Sequence, residues 1–471
     1  MTLAKQFHKF VIAAPAWLPQ IHRSLSNSIC GTSEGIIGSL KTILSDRAPV
    51  TYGTCVIPSK DFGLFYGKAD SGSTARHIYL HNASAAEAEL LTRACQAATF
   101  GLNKQDVYDE TYRRAGKMDV DDFAAKFDVE RSGILARVKN DLLDGRSSAR
   151  AVECELYKLN VYGEGGFFKP HKDTPRSGKM FGSLVIVFPV AHTGGELILR
   201  HGGKEWAFDA GKELAATARP SVGYVAFYSD VEHEVAPVQS GHRVTLTYNL
   251  YFGDNSDNDQ TTLPESEAAV HQEKEFKKGL EQLLADPLFL PYGGIIGFGL
   301  QHEYPISAKT VAASFAGRLK GNDGLIERVC NQLGVPIEPK ILSRTWDVDR
   351  KRDRGYPDPE MEVLTDAVVD WSEEQEVPDS DMVEMLTERG AIFLPHLKDG
   401  RIDATVYDEE KDGHVPVPTT DIHWITEVTN SKHNTVKTEY VIYGNQPYLD
   451  HMYGTICLIA YVGPPENRRL S

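Results

Sequence analysis

Tyr162-Gly-Glu-Gly-Gly-Phe-Phe-Lys-Pro-His171-Lys-Asp173 is the stretch on which the reading of this chain turns. Residues two apart on an extended strand point to the same side. His171 and Asp173 therefore reach toward one point and can share one metal ion. Sixty residues beyond Asp173 comes His233, within Phe-Tyr-Ser-Asp-Val-Glu-His-Glu-Val.

Two imidazoles and one carboxylate are the facial ligand set of a non-haem Fe(II) centre, which leaves positions open for a chelating co-substrate and O2. Ten residues past His233 stands Arg243, in Gly-His-Arg-Val-Thr-Leu-Thr-Tyr. Period two puts Arg243, Thr245 and Thr247 on one strand face. A buried arginine there needs an anion, and a bidentate carboxylate suits its planar fork. The distal carboxylate of 2-oxoglutarate meets that demand, with Thr245 as a supporting donor. Each piece alone is common. The ordered set of His-x-Asp, distal His and Arg-x-Thr is far more specific than a β-sandwich with coincidental histidines.

Around these residues the chain changes character. From Glu153 to Phe252 short β-rich runs alternate with glycine-containing turns, at 153–162, 184–190, 196–200, 205–208, 222–228 and 243–252. Such close spacing predicts an antiparallel sandwich or barrel. Upstream, Ser84 and Glu87 have capping-box spacing and open a helix expected over Ala85–Thr99. A second helix is expected from Gly133 to Leu143, with Ile134, Leu135, Val138 and Leu142 on one face. Downstream, 254–260 reads as a loop, 264–285 as an amphipathic helix and 294–304 as a strand. The charged stretch 346–380 reads as a surface excursion, and 436–443 and 455–462 as strands. These readings divide the chain into a tail (1–33), an α/β region bracing the core (34–149), the catalytic core (150–253) and a C-terminal α/β region without an assigned role (254–471).

The chain as a whole has 471 residues, 41% apolar and 25% charged, an ordinary globular balance for two or three structural units. Its net charge of −16 disfavours a nucleic-acid partner without excluding a local basic groove. No apolar run reaches about 18 residues, so no membrane span is expected. Six scattered cysteines with no Cys-x-x-Cys suit free thiols in a reducing compartment, cytoplasmic or nuclear. No acid precedes Glu34, so an organelle transit peptide is the alternative to an ordinary N-terminal tail.

The core resembles the prolyl 4-hydroxylase-type branch of the 2-oxoglutarate/Fe(II) oxygenases. The similarity rests on Tyr162…His171-Lys-Asp173, Gly194-Gly195-Glu196-Leu197, Gly223-Tyr-Val-Ala-Phe-Tyr-Ser-Asp230, His233-Glu-Val-Ala-Pro-Val and Gly241-His-Arg243-Val-Thr245. It covers about 100 of the 471 residues. The flanks resemble those of fungal proteins with this core.

The resemblance implies a mainly β fold, a double-stranded β-helix (jelly roll) with flanking α/β extensions and the metal at its open mouth. It implies His171, Asp173 and His233 as iron ligands, Arg243 as partner of the co-substrate's far carboxylate, and Tyr162 as a wall of that pocket. The cofactors implied are Fe(II), 2-oxoglutarate and O2, with ascorbate as a supporting reductant. Asp173 favours hydroxylation, because halogenating relatives lack that carboxylate. Collagen-type members commonly carry lysine where Arg243 stands, so collagen-like substrates are not indicated.

A prolyl or other residue of a protein or peptide is the first substrate reading. Fold analogy alone is a weak guide to substrate. A small secondary metabolite, a nucleic-acid base and a non-enzymatic binding module follow in that order. Tyr157, Phe167, Phe168 and Lys169 sit near the ligand strand, where Phe167 and Phe168 read as packing and Lys169 as solvated. His242 reads as structural, His192 as an exposed turn residue and His201 as no ligand. His302, Glu303 and Tyr304 are candidates to roof the pocket.

Overall fold

The computed structural model describes residues 31–45, 47–67, 75–102, 105–143, 151–253, 267–307, 309–345, 361–368, 379–394, 397–398, 401–402, 405–408, 413–428 and 452–468. The strand expected at 436–443, the loop at 254–260 and most of the N-terminal tail lie outside them.

Two antiparallel sheets face each other across one apolar core. In the larger, the strand order is Val50–Val56, Ser221–Tyr228, Met180–Val187, Arg243–Phe252, Val152–Tyr162, Gly116–Asp119 and Gln96–Ala97. In the smaller it is Lys204–Phe208, Leu197–His201, Glu232–Val235, Phe167–His171 and Arg113–Arg114. Sequence neighbours repeatedly fall in opposite sheets, which is the crossing pattern of a jelly roll. The fold is a double-stranded β-helix.

Ser221–Tyr228 is buried at every position, so both its faces are covered. One face looks into the barrel. The other receives the helix Ile134–Leu143, whose Ile134, Leu135, Val138 and Leu142 are all buried, as the helical stripe in the sequence requires. The helix opened by Ser84 has its reciprocal cap with Glu87 but stops at Ala94, short of the expected Thr99. Cys95 turns extended, and Gln96–Ala97 joins the large sheet beside Gly116–Asp119. Leu90 is 43% exposed, and Ala98 is buried from the extended segment.

A further sheet lies C-terminal to the barrel, in the order Ile392–Phe393, Met361–Thr365, Ile337–Thr345, Ile456–Val462, Gly294–Gly299 and His423–Thr426. Its core joins Phe276, Leu280 and Leu283 of the helix Glu267–Ala285 to Leu325 and Val329 of the helix Gly321–Gln332. The helix Gly31–Ser45 delivers Ile37, Leu40 and Leu44 to this core, so the first described segment packs on the C-terminal unit. The strand read at 294–304 is two, Gly294–Gly299 and Tyr304–Ile306. No described helix is long and apolar enough to cross a membrane.

Candidate active site

The strands Phe167–His171 and Glu232–Val235 are antiparallel neighbours, and their register sets His171 directly opposite His233. The two imidazole centroids are 4.2 Å apart. Asp173 follows on the same chain, with Oδ1 3.9 Å from His233 Nε2. All three side chains are buried, and their ligand atoms lie within 4.8 Å of one another.

Each ring is held by its other nitrogen. His171 Nδ1 donates to the Lys169 carbonyl at 2.8 Å, and His233 Nδ1 to the Val231 carbonyl at 3.1 Å. Both Nε2 atoms are thereby left to turn inward as lone-pair donors, the usual arrangement of metal-binding histidines. Burial, followed by the nearby His233, holds His171 well below the ordinary imidazole range, which keeps it neutral and able to ligate. The Ser183 hydroxyl donates to Asp173 Oδ2, and Oδ1 stays on the side of His233. Phe168 stacks on His171 at 3.6 Å and Phe227 leans on His233 at 4.6 Å, closing the ring faces. This donor set fits a divalent iron ion.

Arg243 opens the strand Arg243–Phe252, opposite Tyr162, and Thr245 is opposite Asn160. The guanidinium is 2% exposed, and its carbon lies 5.6 Å from the Tyr162 ring centre. Its Nε has no hydrogen-bond partner, and no carboxylate pairs with the group among the described residues. Burial lowers its pKa, as expected for a charge awaiting an anion. Gly195, at φ +74°, makes room for it: a Cβ there would meet the Arg243 Cδ at 3.0 Å and Val238 at 2.9 Å.

The structure brings together the six residues expected to hold the metal and the co-substrate. His171, Asp173, His233, Arg243, Thr245 and Tyr162 line one pocket. It adds residues that the sequence reading passed over. Arg113 arrives from a short strand far upstream, donates to Asn160 Oδ1 at 2.8 Å and covers Phe168 at 4.3 Å. Lys158 and Asn160 share the inward face of Tyr162, a period-two signal that was readable. Burial, then the neighbouring Lys117, pushes the Lys158 ammonium down to about 8. His192 is not an exposed turn residue: it sits half-buried in a two-stranded ribbon, with Nδ1 on the Val190 carbonyl at 2.7 Å. Lys169 is exposed, and His242 faces away from Arg243 toward Glu89 at 3.3 Å.

A second group of metal-capable residues, the half-buried His201 with the buried Asp230 and His302, lies outside this pocket. Asp230 is already saturated. It accepts from His302 Nδ1 at 3.0 Å, the Glu303 backbone N–H at 3.0 Å and Lys320 Nζ at 2.8 Å. Burial alone would raise its pKa, but Lys320 and His302 hold it well below the usual carboxylate range. The Lys320 ammonium supplies the positive charge, so this cluster is a buried ionic junction between barrel and C-terminal unit. His302 therefore braces the barrel and does not roof the pocket.

With this geometry in hand, residues 157–251 match the family model described as "2OG-Fe(II) oxygenase superfamily". Similar solved structures include a Pseudomonas putida prolyl-4-hydroxylase, 18% identical, covering 46% of this chain and 98% of its own, with a TM-score of 0.28. A Trichoplax adhaerens prolyl hydroxylase, described in complex with a hypoxia inducible factor peptide fragment, is 16% identical over 47% of this chain and 89% of its own, TM-score 0.27. A collagen prolyl hydroxylase of Paramecium Bursaria Chlorella virus-1 is 11% identical over 36% and 92%, TM-score 0.22. No curated protein matches the sequence. The matched segment is similar to a 2OG-Fe(II) oxygenase domain. The protein is a 2-oxoglutarate- and iron-dependent dioxygenase, whose cofactors are Fe(II), 2-oxoglutarate and O2.

Proposed function

We propose that His171, Asp173 and His233 hold Fe(II), that Arg243 with Tyr162 and Thr245 anchors the far carboxylate of 2-oxoglutarate, and that the enzyme hydroxylates a C–H bond of a prolyl or other residue in a protein or peptide. The supporting observation is the buried Arg243: its Nε is unpartnered, and it lines the same pocket as the three ligand side chains. Bound iron would supply oxidation by O2 coupled to decarboxylation of the co-substrate.

This chain's own residues do the rest. Lys169 and Val231 carbonyls fix the imidazole tautomers. Ser183 orients Asp173. Arg243 sets the depth to which a dicarboxylate enters. Phe168, Phe227 and Leu197 keep the pocket floor dry. The test is succinate release from 2-oxoglutarate by purified protein with Fe(II) and ascorbate. Turnover in the wild type with none in His171→Ala supports the reading, and equal turnover in both ends it. Stimulation by proline-containing peptides supports the polypeptide substrate, and its absence counts against it.

A further inference from the structure

The pocket holds more positive charge than its proposed cofactors use. Arg113, Lys158 and Arg243 line it, and among the described residues Asp173 is the single acid that does so. This stands against a net charge of −16 for the chain. Arg243 suffices for the far carboxylate of the co-substrate, whose other end would meet the metal. Lys158 stands opposite Thr247, four positions along the strand from Arg243, or about 13 Å of strand rise.

Around Lys158 the cations gather on Tyr157. Lys158 Nζ lies 4.5 Å from that ring centre and Arg176 Cζ 3.9 Å from it. The Tyr157 hydroxyl and an Nη2 of Arg176 are both buried without a hydrogen-bond partner. Among the described residues, the carboxylate paired with Lys158 is that of Asp119, at 3.9 Å on a half-exposed side chain. Lys158 itself is 5% exposed. Buried donors without acceptors and a buried ammonium with a distant partner are costly, and an anion bound beside Tyr157 would relieve that cost.

We infer that the substrate carries a carboxylate or phosphate group, and that Lys158, Arg176 and the Tyr157 hydroxyl receive it. This inference rests on the oxygenase reading above. It narrows the substrate class: a neutral proline-rich segment would leave the second cationic group unmatched.

The experiment uses the full chain loaded anaerobically with Fe(II) and 2-oxoglutarate, so that the visible band of the iron–co-substrate chelate reports both. Proline-containing peptides are offered in three matched pools, flanked by glutamate, phosphoserine or glutamine. A panel of small carboxylates and phosphate esters is offered beside the corresponding amides and alcohols. The expected result is perturbation of the band, and on adding O2 stimulated succinate release, at about tenfold lower concentration for the anionic members of one arm. The arm that responds identifies a peptide or a small molecule as the source of the anion. Arg176→Gln and Lys158→Met, each checked for an unchanged melting temperature, should erase that preference while 2-oxoglutarate affinity moves less than about threefold.

Equal responses to charged and neutral members, or none to either, would overturn the inference and leave the oxygenase reading standing. So would a loss of 2-oxoglutarate affinity in Arg176→Gln as large as in Arg243→Gln, because the second cation would then serve the co-substrate. A chelate band that never forms removes the oxygenase reading and this inference together.

Discussion

Lys172, which sits between two residues of the candidate metal site, donates to Glu303 of the C-terminal unit at 2.7 Å. The neighbouring His302 and the Glu303 backbone N–H grip Asp230, three residues before His233. One short segment of the C-terminal unit thus holds both ligand-bearing stretches of the barrel. The two grips differ in strength. Lys172 and Glu303 are about a third exposed, which limits such a pair to roughly 0–1 kcal/mol. Lys320 and Asp230 are each 1% exposed.

Lys320→Met should therefore destabilise the protein strongly, by about 3–5 kcal/mol, because it leaves a buried carboxylate without its main counter-charge. Glu303→Gln should change stability by less than about 1 kcal/mol. Chemical denaturation of the two variants checks the contrast. Similar losses in both would show that the junction is not where the units are coupled.

Ser183→Ala removes the hydroxyl that turns Asp173 Oδ2 away from the metal position. Loss of such an outer partner typically weakens metal affinity 10–100-fold. Titration of the apoprotein with Fe(II) or Co(II) under argon should find a weakening of that order with little change in melting temperature. An unchanged affinity would mean that Asp173 is oriented by the backbone alone.

Gly195→Ala places a Cβ against the Arg243 Cδ and strains a residue at φ +74°. The expected outcome is a rise of about tenfold in the 2-oxoglutarate concentration needed for half-saturation, with metal affinity retained. Loss of both together would point to general misfolding of the Gly194-Gly195 turn.

Acid should loosen the junction at His201. Burial, then the stacked His302, pushes its pKa down to about 4, while Asp230 opposes the shift and Lys320 and Lys172 reinforce it. The folded state thus binds the proton less tightly than the unfolded chain. Stability is full above about pH 6.5 and falls as the pH drops toward 4, by at most about 3 kcal/mol from this group. Denaturation midpoints across that range should fall less steeply in His201→Phe than in the wild type. Identical slopes would assign the acid sensitivity to other groups.

Much of this was legible in the sequence for a local reason. Strand period two carries Arg243 with Thr245 onto a common face, and the His-x-Asp spacing brings Asp173 to His171 and His233 although the strand itself ends at His171, so the site could be read without knowing the fold. The capping box at Ser84 likewise fixed where its helix begins, but nothing local announced that Cys95 would leave it for the large sheet. Arg113 and Lys320 were not legible. They reach their partners Asn160 and Asp230 across 47 and 90 residues, and only the crossing of the sheets brings them there. Lys158 was readable by parity with Tyr162, yet a lysine on an inward strand face runs against the expectation that lysines are solvated.

Anomalous diffraction at the iron edge, from crystals loaded anaerobically with Fe(II) and 2-oxoglutarate, locates the metal and its co-substrate in one measurement. A single iron peak is expected between His171, Asp173 and His233, with the far carboxylate of 2-oxoglutarate on Arg243. A peak at His201, Asp230 and His302, or a co-substrate that leaves Arg243 without an anion, would contradict it.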